Sequence, residues 1–350
     1  RNEVRRTQMT PIPDKIKILI AYNAVPNAPN EADLDAISEA AVLDEVNAMA
    51  QALSNLGYRI ENLPCTTLPQ ILQTVQNFQP DVIVNLCEGF QHRSELEAHL
   101  TSLWELLAIP YTGNTPQTLG LAQNKILTKK LLQAAGLPTP DYQVFETVPA
   151  TCDLEFPLIA KPSREDGSVG ITQQSVSHDL GQLRRVVGNL LAKYQQPILV
   201  EKYITGREFN ISLLGNEPTR VLPPSELSFA AVAEQYHAIA SYEAKWLNEH
   251  PLYQMTPPIC PAQIDESLHA RLSQLAEQVY CLLMGRDYGR VDIRMDNDSN
   301  LYVLEYNPNP DISLDAGYVR ALRAAGLTYE DFADFLIKAA LKRKHANDHS

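Results

Sequence analysis

Cysteine is sparse and scattered. The five thiols, Cys65, Cys87, Cys152, Cys260 and Cys281, form no CxxC pair and have no histidine at metal-ligand spacing. That pattern argues against zinc and for reduced thiols in a cytoplasmic protein. Positive charge is also short: 29 Lys and Arg against 42 Asp and Glu give a formal net charge of −13. Such a chain repels phosphate backbones and anionic lipid, so neither nucleic acid nor a membrane surface is an expected partner. A local basic pocket for a nucleotide is still allowed. No apolar run approaches the ~20 residues of a membrane span. Residues 1–14 lack an apolar segment like that of a signal peptide and read as a polar, mobile arm. No Met opens the chain, which reads as a trimmed start. Internal repeats and low-complexity tracts are absent, and so are GxGxxG after the first strand and GxxxxGK[ST] anywhere.

What remains is ordinary globular material, 45% hydrophobic and 20% charged. The 350 residues are enough for two or three domains at about 100–200 residues each. Lys15–Tyr22, Tyr58–Pro64 and Asp81–Leu86 read as strands, with helices at Ser38–Leu56, Leu68–Phe78 and Glu95–Leu107. This alternation implies a parallel α/β sheet whose carboxyl edge shapes a substrate mouth. IPYTGN, from Ile109 to Asn114, supplies turn signals and the first boundary. A helix over Leu119–Ala135, closed by Gly136, is followed by strands at Pro157–Lys161 and Ile198–Lys202 with a helix at Leu180–Tyr194 between them. The last third predicts strands at Glu208–Leu214, Arg290–Met295 and Leu301–Glu305. Helices are expected at Ile264–Leu283 and from Tyr318 to Lys342. Asn297–Asn300 is a good hairpin turn.

Three motifs carry chemistry. The first, KPSREDGSVGI from Lys161, ends a buried strand with a lysine and a loop containing Gly167, Ser168 and Gly170. Glycines let backbone N–H groups crowd onto phosphate oxygens, and the lysine adds a compact positive charge. A surface turn with a snorkelling lysine competes equally. The second, EKYITGRE, places Glu201 at a strand end, where it can accept from an adenine amino group, and Glu208 where it can take ribose hydroxyls. Taken alone, solvated strand-end charges explain it better. The third is the strongest. On a hairpin, alternate residues share a face, so Arg290 joins Asp292 and Glu305 joins Asn307. Two carboxylates and an amide oxygen suit a hard cation such as Mg2+. A solvated Arg290–Glu305 salt bridge is the competing explanation.

In this order the motifs resemble the ATP-grasp superfamily and, more narrowly, the D-alanine–D-alanine ligases. The resemblance runs from IPYTGN to the end, through NKILTKKLLQAAGLPTP, AKPSREDGSVGI, VEKYITGREFNISLLG, YEAKW, GRVDIRMD and VLEYN. Before IPYTGN it is confined to the α/β pattern and VNLCEG. It implies an ATP-grasp fold, α/β and α+β, with an N-terminal Rossmann-like parallel domain at 1–112, a lid at 113–200 and a catalytic domain at 201–350. Lys125 and Lys161 would contact nucleotide phosphates, and Gly167 and Ser168 lie in the loop that closes over them. Glu201, Lys202 and Ile204 fall where the family binds adenine, and Glu208 where it binds ribose. Lys245 matches a lysine reaching the terminal phosphate. Asp292, Glu305 and Asn307 match the metal ligands, and Arg290 the arginine that stabilises the tetrahedral transition state. The cofactors implied are ATP and Mg2+, with two ions expected and Mn2+ as an alternative. Partners are small-molecule amino-acid or short-peptide substrates, with a homodimer allowed.

The departures concern the substrate half. The family usually has serine where Gly167 stands, tyrosine at Trp246 and histidine at Glu88. Its small-residue run after the metal asparagine is here Pro308-Asn309-Pro310-Asp311, and its carboxylate-binding serine falls on Ala316. Glu39 and Glu45 compete for its N-terminal glutamate. The ATP half is intact and the amino-acid half is rebuilt, with Glu88, Trp246, Asn309 and Asp311 as candidate substrate residues. The reading is a carboxylate–amine ligase working through an acyl-phosphate. D-alanine–D-alanine ligase proper, another ATP-grasp enzyme (a carboxylase or thiol ligase) and a non-catalytic ATP-binding regulator stay open.

Overall fold

The computed structural model describes residues 15–24, 34–91, 93–165, 167–247 and 249–347, without the side chains of 34–41, 246 and 345–347. The arm expected at 1–14 lies outside the described residues. Among them the strands form three sheets. The first is parallel, with β1 Lys17–Asn23 between β2 Arg59–Cys65 and β3 Val82–Leu86. β3 reads VIVNL and is buried at every residue, as a strand covered on both faces must be. Its crossovers are α1 Leu34–Asn55, which starts before the predicted Ser38, and α2 Leu68–Phe78; α3 Glu97–Leu106 follows β3. At the carboxyl edge, the backbone N–H of Glu88 donates to Asn23 Oδ1 at 2.8 Å.

The second sheet is antiparallel, in the order β4 Tyr142–Phe145, β7 Ile198–Lys202, β5 Leu158–Pro162, β6 Val176–Ser177. α6 Leu180–Tyr194 buries Leu183 and Val187 against it. The domain boundary expected at 200 falls inside β7. In the third sheet the path is β11 Pro258–Ile259, β10 Ser225–Leu227, β8 Arg207–Leu214, β12 Tyr288–Met295, β13 Leu301–Asn307, with β9 Arg220–Val221 beside β8. α9 Glu266–Leu282 packs Leu272, Ala276 and Val279 against Phe209, Ile211, Val291 and Ile293. The β12–β13 turn falls where NDSN predicts it, with Asp296 Oδ1 accepting from the N–H groups of Asp298 and Asn300 at 3.0 and 2.8 Å.

Two helices predicted as continuous are broken. The span expected at Leu119–Ala135 is α4 Pro116–Gln123 and α5 Lys125–Ala134. Asn124 leaves helical geometry and its Oδ1 accepts from the N–H of Leu127 at 3.1 Å, so it caps a new helix. The C-terminal span is α10 Gly317–Ala324 and α11 Tyr329–Asn347. Gly326, at φ +76°, turns the chain. Thr328 and Asp331 then cap each other's backbone at 2.9 and 3.0 Å.

The chain ends return to the first sheet. Tyr318, Phe332, Leu336 and Ala340 pack with Ile18, Val46, Met49 and Val84 in one core. Asp287, wholly buried, accepts from Arg343 Nη1 and Nη2 at 2.6 and 2.8 Å, from Gly113 N at 3.0 Å and from Asn216 Nδ2 at 3.0 Å. These bonds tie α11, the IPYTGN turn and the entrance to β12 together.

Candidate active site

The β12–β13 pairing sets Arg290 opposite Asn307 and Asp292 opposite Glu305, with a bulge immediately after. Bulges re-aim side chains beside sites. Arg290 grips Asp292 through Nε–Oδ1 at 2.7 Å and Nη2–Oδ2 at 2.8 Å. Asn210 on β8 and Asn307 donate to the same carboxylate at 2.7 and 3.0 Å. Burial works against the Arg290 charge, but Asp292, with Glu305 and Asp311 beyond it, outweighs burial and raises its pKa. The Arg290–Glu305 pairing of the competing reading is replaced by this buried fork. Glu305 instead lies 3.4 Å from Lys125 Nζ. Burial pushes its pKa up, but Lys125, Lys161, Arg290 and Lys245 together hold it down to about 2.

The same strand continues the polar face. Arg294 lies opposite Glu208 on β8 and pairs with it, while its Nε donates to the carbonyl of Ile204 at 3.0 Å. Burial raises the Glu208 pKa, and Asp292 and Glu305 add to the rise against the pull of Arg294. Glu208 therefore sits within the field of the expected metal carboxylates. The Lys202 side chain is exposed, and its N–H donates to the carbonyl of Asp141 at 2.9 Å.

The phosphate-type loop leaves β5 at Lys161. Lys125, at the start of α5 because of the Asn124 break, donates its backbone N–H to Ser163 O at 2.9 Å and its Nζ to Glu165 O at 2.6 Å. Gln196 holds the loop from the other side through Arg164 N at 2.7 Å and Glu165 Oε1 at 2.8 Å. Gly167, Ser168 and Gly170 have φ of +63°, +66° and +76°. At Gly170 a Cβ would lie 2.6 Å from Pro162 Cγ, so glycine is required twice over. Ser168 Oγ donates to Ala240 O at 2.8 Å, closing the loop onto the segment before α7 Tyr242–Trp246, the helix that carries Lys245.

Glu201 departs from expectation. Its carboxylate is 1% exposed, with Lys129 on one oxygen and Lys161 on the other. Burial opposes ionisation, but the two ammonium groups win and hold its pKa below the usual carboxylate range. Its side chain anchors lysines; it does not stand open to a base.

At the substrate end, Glu45 is the described candidate for the N-terminal glutamate; the Glu39 side chain is not described. Burial, then Glu88, then Asp311 push the Glu45 carboxyl well up, while the backbone of Ile312 and the charge of Lys245 pull it down. The charges of Glu88, at the β3 exit, and of Asp311, in the 308–313 turn, thus act on Glu45 of α1 in the same direction, and that of Lys245 opposes them. Asp311 Oδ1 also accepts from Ser313 N at 2.8 Å. Asn309 is committed to structure: Nδ2 donates to Cys87 O at 3.2 Å and Oδ1 accepts from Tyr288 Oη at 2.9 Å. Trp246 closes α7, and its side chain lies outside the described residues. Ala316 is buried at the start of α10 and offers no side-chain cap.

Asp292, Glu305 and Asn307 are all-oxygen donors suited to a hard divalent cation. A carboxylate has about four acceptor positions, and Asp292 uses its oxygens for four bonds to Arg290, Asn210 and Asn307. A cation there replaces at least one of them. Among the described residues no three His, Cys, Asp or Glu converge in metal-holding geometry. The sequence reading passed over Lys129, Arg294 and Asn210. Periodicity marks each: Lys129 lies four after Lys125 on a helix, Arg294 two after Asp292, and Asn210 two after Glu208 on strands.

A nucleotide-type loop on an antiparallel sheet, facing a carboxylate hairpin on a second sheet, defines a ligase of the ATP-grasp class. The D-ala D-ala ligase C-terminus family matches residues 131–338. A D-alanine–D-alanine ligase of Bordetella parapertussis is 34% identical over 246 residues, 68% of this chain and 72% of that protein. An uncharacterized protein of Sinorhizobium fredii, y4sG, is 32% identical over 310 residues, 86% of this chain and 88% of its own. The fold matches the crystal structure of a Bacillus anthracis D-alanine–D-alanine ligase complexed with ATP, at a TM-score of 0.74 over 95% of this chain and 99% of that one, with 19% identity. The chain belongs to the D-alanine–D-alanine ligase family and is a ligase. No described helix is long and apolar enough to cross a membrane.

Proposed function

We propose that the protein joins a carboxylate to an amine at the expense of ATP, through an acyl-phosphate. The observation that carries this is the Arg290–Asp292 fork beside Glu305, Lys125 and Lys161, which concentrates cations around a carboxylate hairpin. ATP binds between the four-stranded and six-stranded sheets, the expected units 113–200 and 201–350. Lys125, Lys161 and the N–H groups around Gly167 and Ser168 take its phosphates, the backbone from Lys202 to Ile204 takes adenine, and Glu208 takes ribose. Asp292, Glu305 and Asn307 hold the divalent ions, two Mg2+ in this proposal, which supply charge neutralisation at the phosphates. Lys245 reaches the terminal phosphate.

A substrate carboxylate oxygen attacks the γ-phosphorus and ADP leaves. The amine of the second substrate then attacks the acyl carbon, and phosphate departs with that carboxylate oxygen as the amine gives up a proton. Arg290, held rigid by Asp292, and a backbone N–H near Asp311 stabilise the oxyanion. A preorganised donor of this kind is worth roughly 3–4 kcal/mol.

Glu45, Glu88 and Asp311 favour a substrate that brings an amino or cationic group, while the hydroxyls that hold D-alanine in the family are missing at Gly167 and Ala316. A site without those hydrogen bonds loses tight selection instead of adjusting it. The test is a screen of amino-acid pairs and short peptides read by ADP formation and product mass. D-alanine alone is expected to support little ADP release, and a substrate with an additional amine to support more. Efficient D-alanyl-D-alanine formation at modest D-alanine contradicts the substrate assignment. No ADP release with any pair contradicts the ligation reaction.

A further inference from the structure

The proposed roles leave Lys129 unused, although it is the most buried cation among the described residues, at 1% exposed. We propose that Lys129 is a positioning residue for nucleotide binding: it holds one oxygen of Glu201 so that the other fixes Lys161 at the mouth of the phosphate loop. The inference rests on the reading that Lys161 meets the phosphates. An ammonium has three donors, and those of Lys129 are accounted for by Glu201, by Thr139 Oγ1 at 2.6 Å and by Pro140 O at 3.2 Å. Thr139 Oγ1 in turn donates to Val303 O on β13 at 2.8 Å. Lys129 therefore touches no ligand itself, and it links the lysine pair to the hairpin that carries Glu305.

The charge balance gives the device its effect. One buried carboxylate between two ammonium groups leaves a net positive charge, which Lys161 presents to the loop. With Lys129 absent or neutral, Lys161 and Glu201 become a closed one-to-one pair, and that charge is cancelled at short range, where it is least screened. The groups facing the Lys129 ammonium are Glu201 of β7, Lys161 of β5, Asp141 just before β4, and the ring of Tyr142 on β4 at 5.5 Å. Burial lowers its pKa to about 8, against the pull of Glu201. It is charged below that pH and neutral above it, so nucleotide affinity should fall as pH rises through about 8.

The experiment is ATP binding by calorimetry, without amino acid, to the whole protein and to Lys129→Met and Lys161→Met across that pH range. At neutral pH Lys129→Met should bind ATP about tenfold more weakly, with the basic limb gone, since one short-range charge is lost. At saturating ATP its KM for the amino acids should be unchanged. Wild-type affinity at neutral pH, or a retained basic limb, overturns the inference. If Lys129→Met does not fold, the wild-type profile decides, and an affinity that stays flat through the limb overturns it. Lys161→Met separates the two levels. Unchanged ATP affinity there sinks the phosphate reading itself, whereas weakening in Lys161→Met but not in Lys129→Met sinks only the role of Lys129.

Discussion

Arg290 and Asp292 are two apart on an extended strand, so their side chains leave the same face and meet. That relation, and the Asp292–Glu305 pairing across the turn, was legible from alternation alone. Arg294 and Asn210 obey the same rule, but each finds its partner across the β8–β12 pairing, and one strand's sequence does not show which strand will lie beside it. Glu201 misled for a different reason. A charged strand end normally reads as solvated, and only the convergence of Lys129 and Lys161 makes its burial tolerable. Asp292→Asn keeps the shape while removing the charge at the hairpin. Its Mg2+-dependent turnover should fall about a hundredfold or more, with a far smaller effect on folding. ADP release and thermal melting of both proteins check this. Near-normal turnover at limiting Mg2+ would remove Asp292 from the metal site.

The loop from Ser163 to Ile171 shows what glycine spacing does at the scale of an element. Gly167 and Gly170 allow left-handed turns that bring backbone N–H groups inward, and Ser168 latches the loop to Ala240 through one hydrogen bond at 2.8 Å. A glycine-containing loop of this kind is expected to open and to become protected when nucleotide fills it. Hydrogen exchange across residues 163–170, with and without saturating ATP, should show strong added protection. Identical exchange would rule out closure over phosphates. The long periodic helices were legible; the breaks at Asn124 and Gly326 were not, because apolar spacing continues across both. Short edge strands such as β9 and β11, at two residues each, carry too little alternation to be seen.

At the scale of the molecule, the end of the chain completes the core of its beginning. Phe332 and Leu336 of α11 pack with Val46 and Met49 of α1, a contact no local pattern discloses. The Arg343–Asp287 pair fastens that arrangement to the entrance of β12. Arg343→Met leaves a wholly buried carboxylate without its cation, which should cost about 3 kcal/mol of unfolding free energy. Urea denaturation reads this directly. A loss within the error of the method would mean that Gly113 N and Asn216 satisfy Asp287 unaided.

The most direct measurement of the proposed chemistry follows an oxygen atom. An amino-acid substrate labelled with 18O in its carboxylate is incubated with the enzyme, ATP and Mg2+, and the released phosphate is weighed by mass spectrometry. Attack of the carboxylate on the γ-phosphorus followed by amine attack on carbon predicts one 18O in each phosphate formed with product. Unlabelled phosphate, released in step with an amide product, would contradict the acyl-phosphate and with it the roles assigned to Arg290 and the carboxylate hairpin.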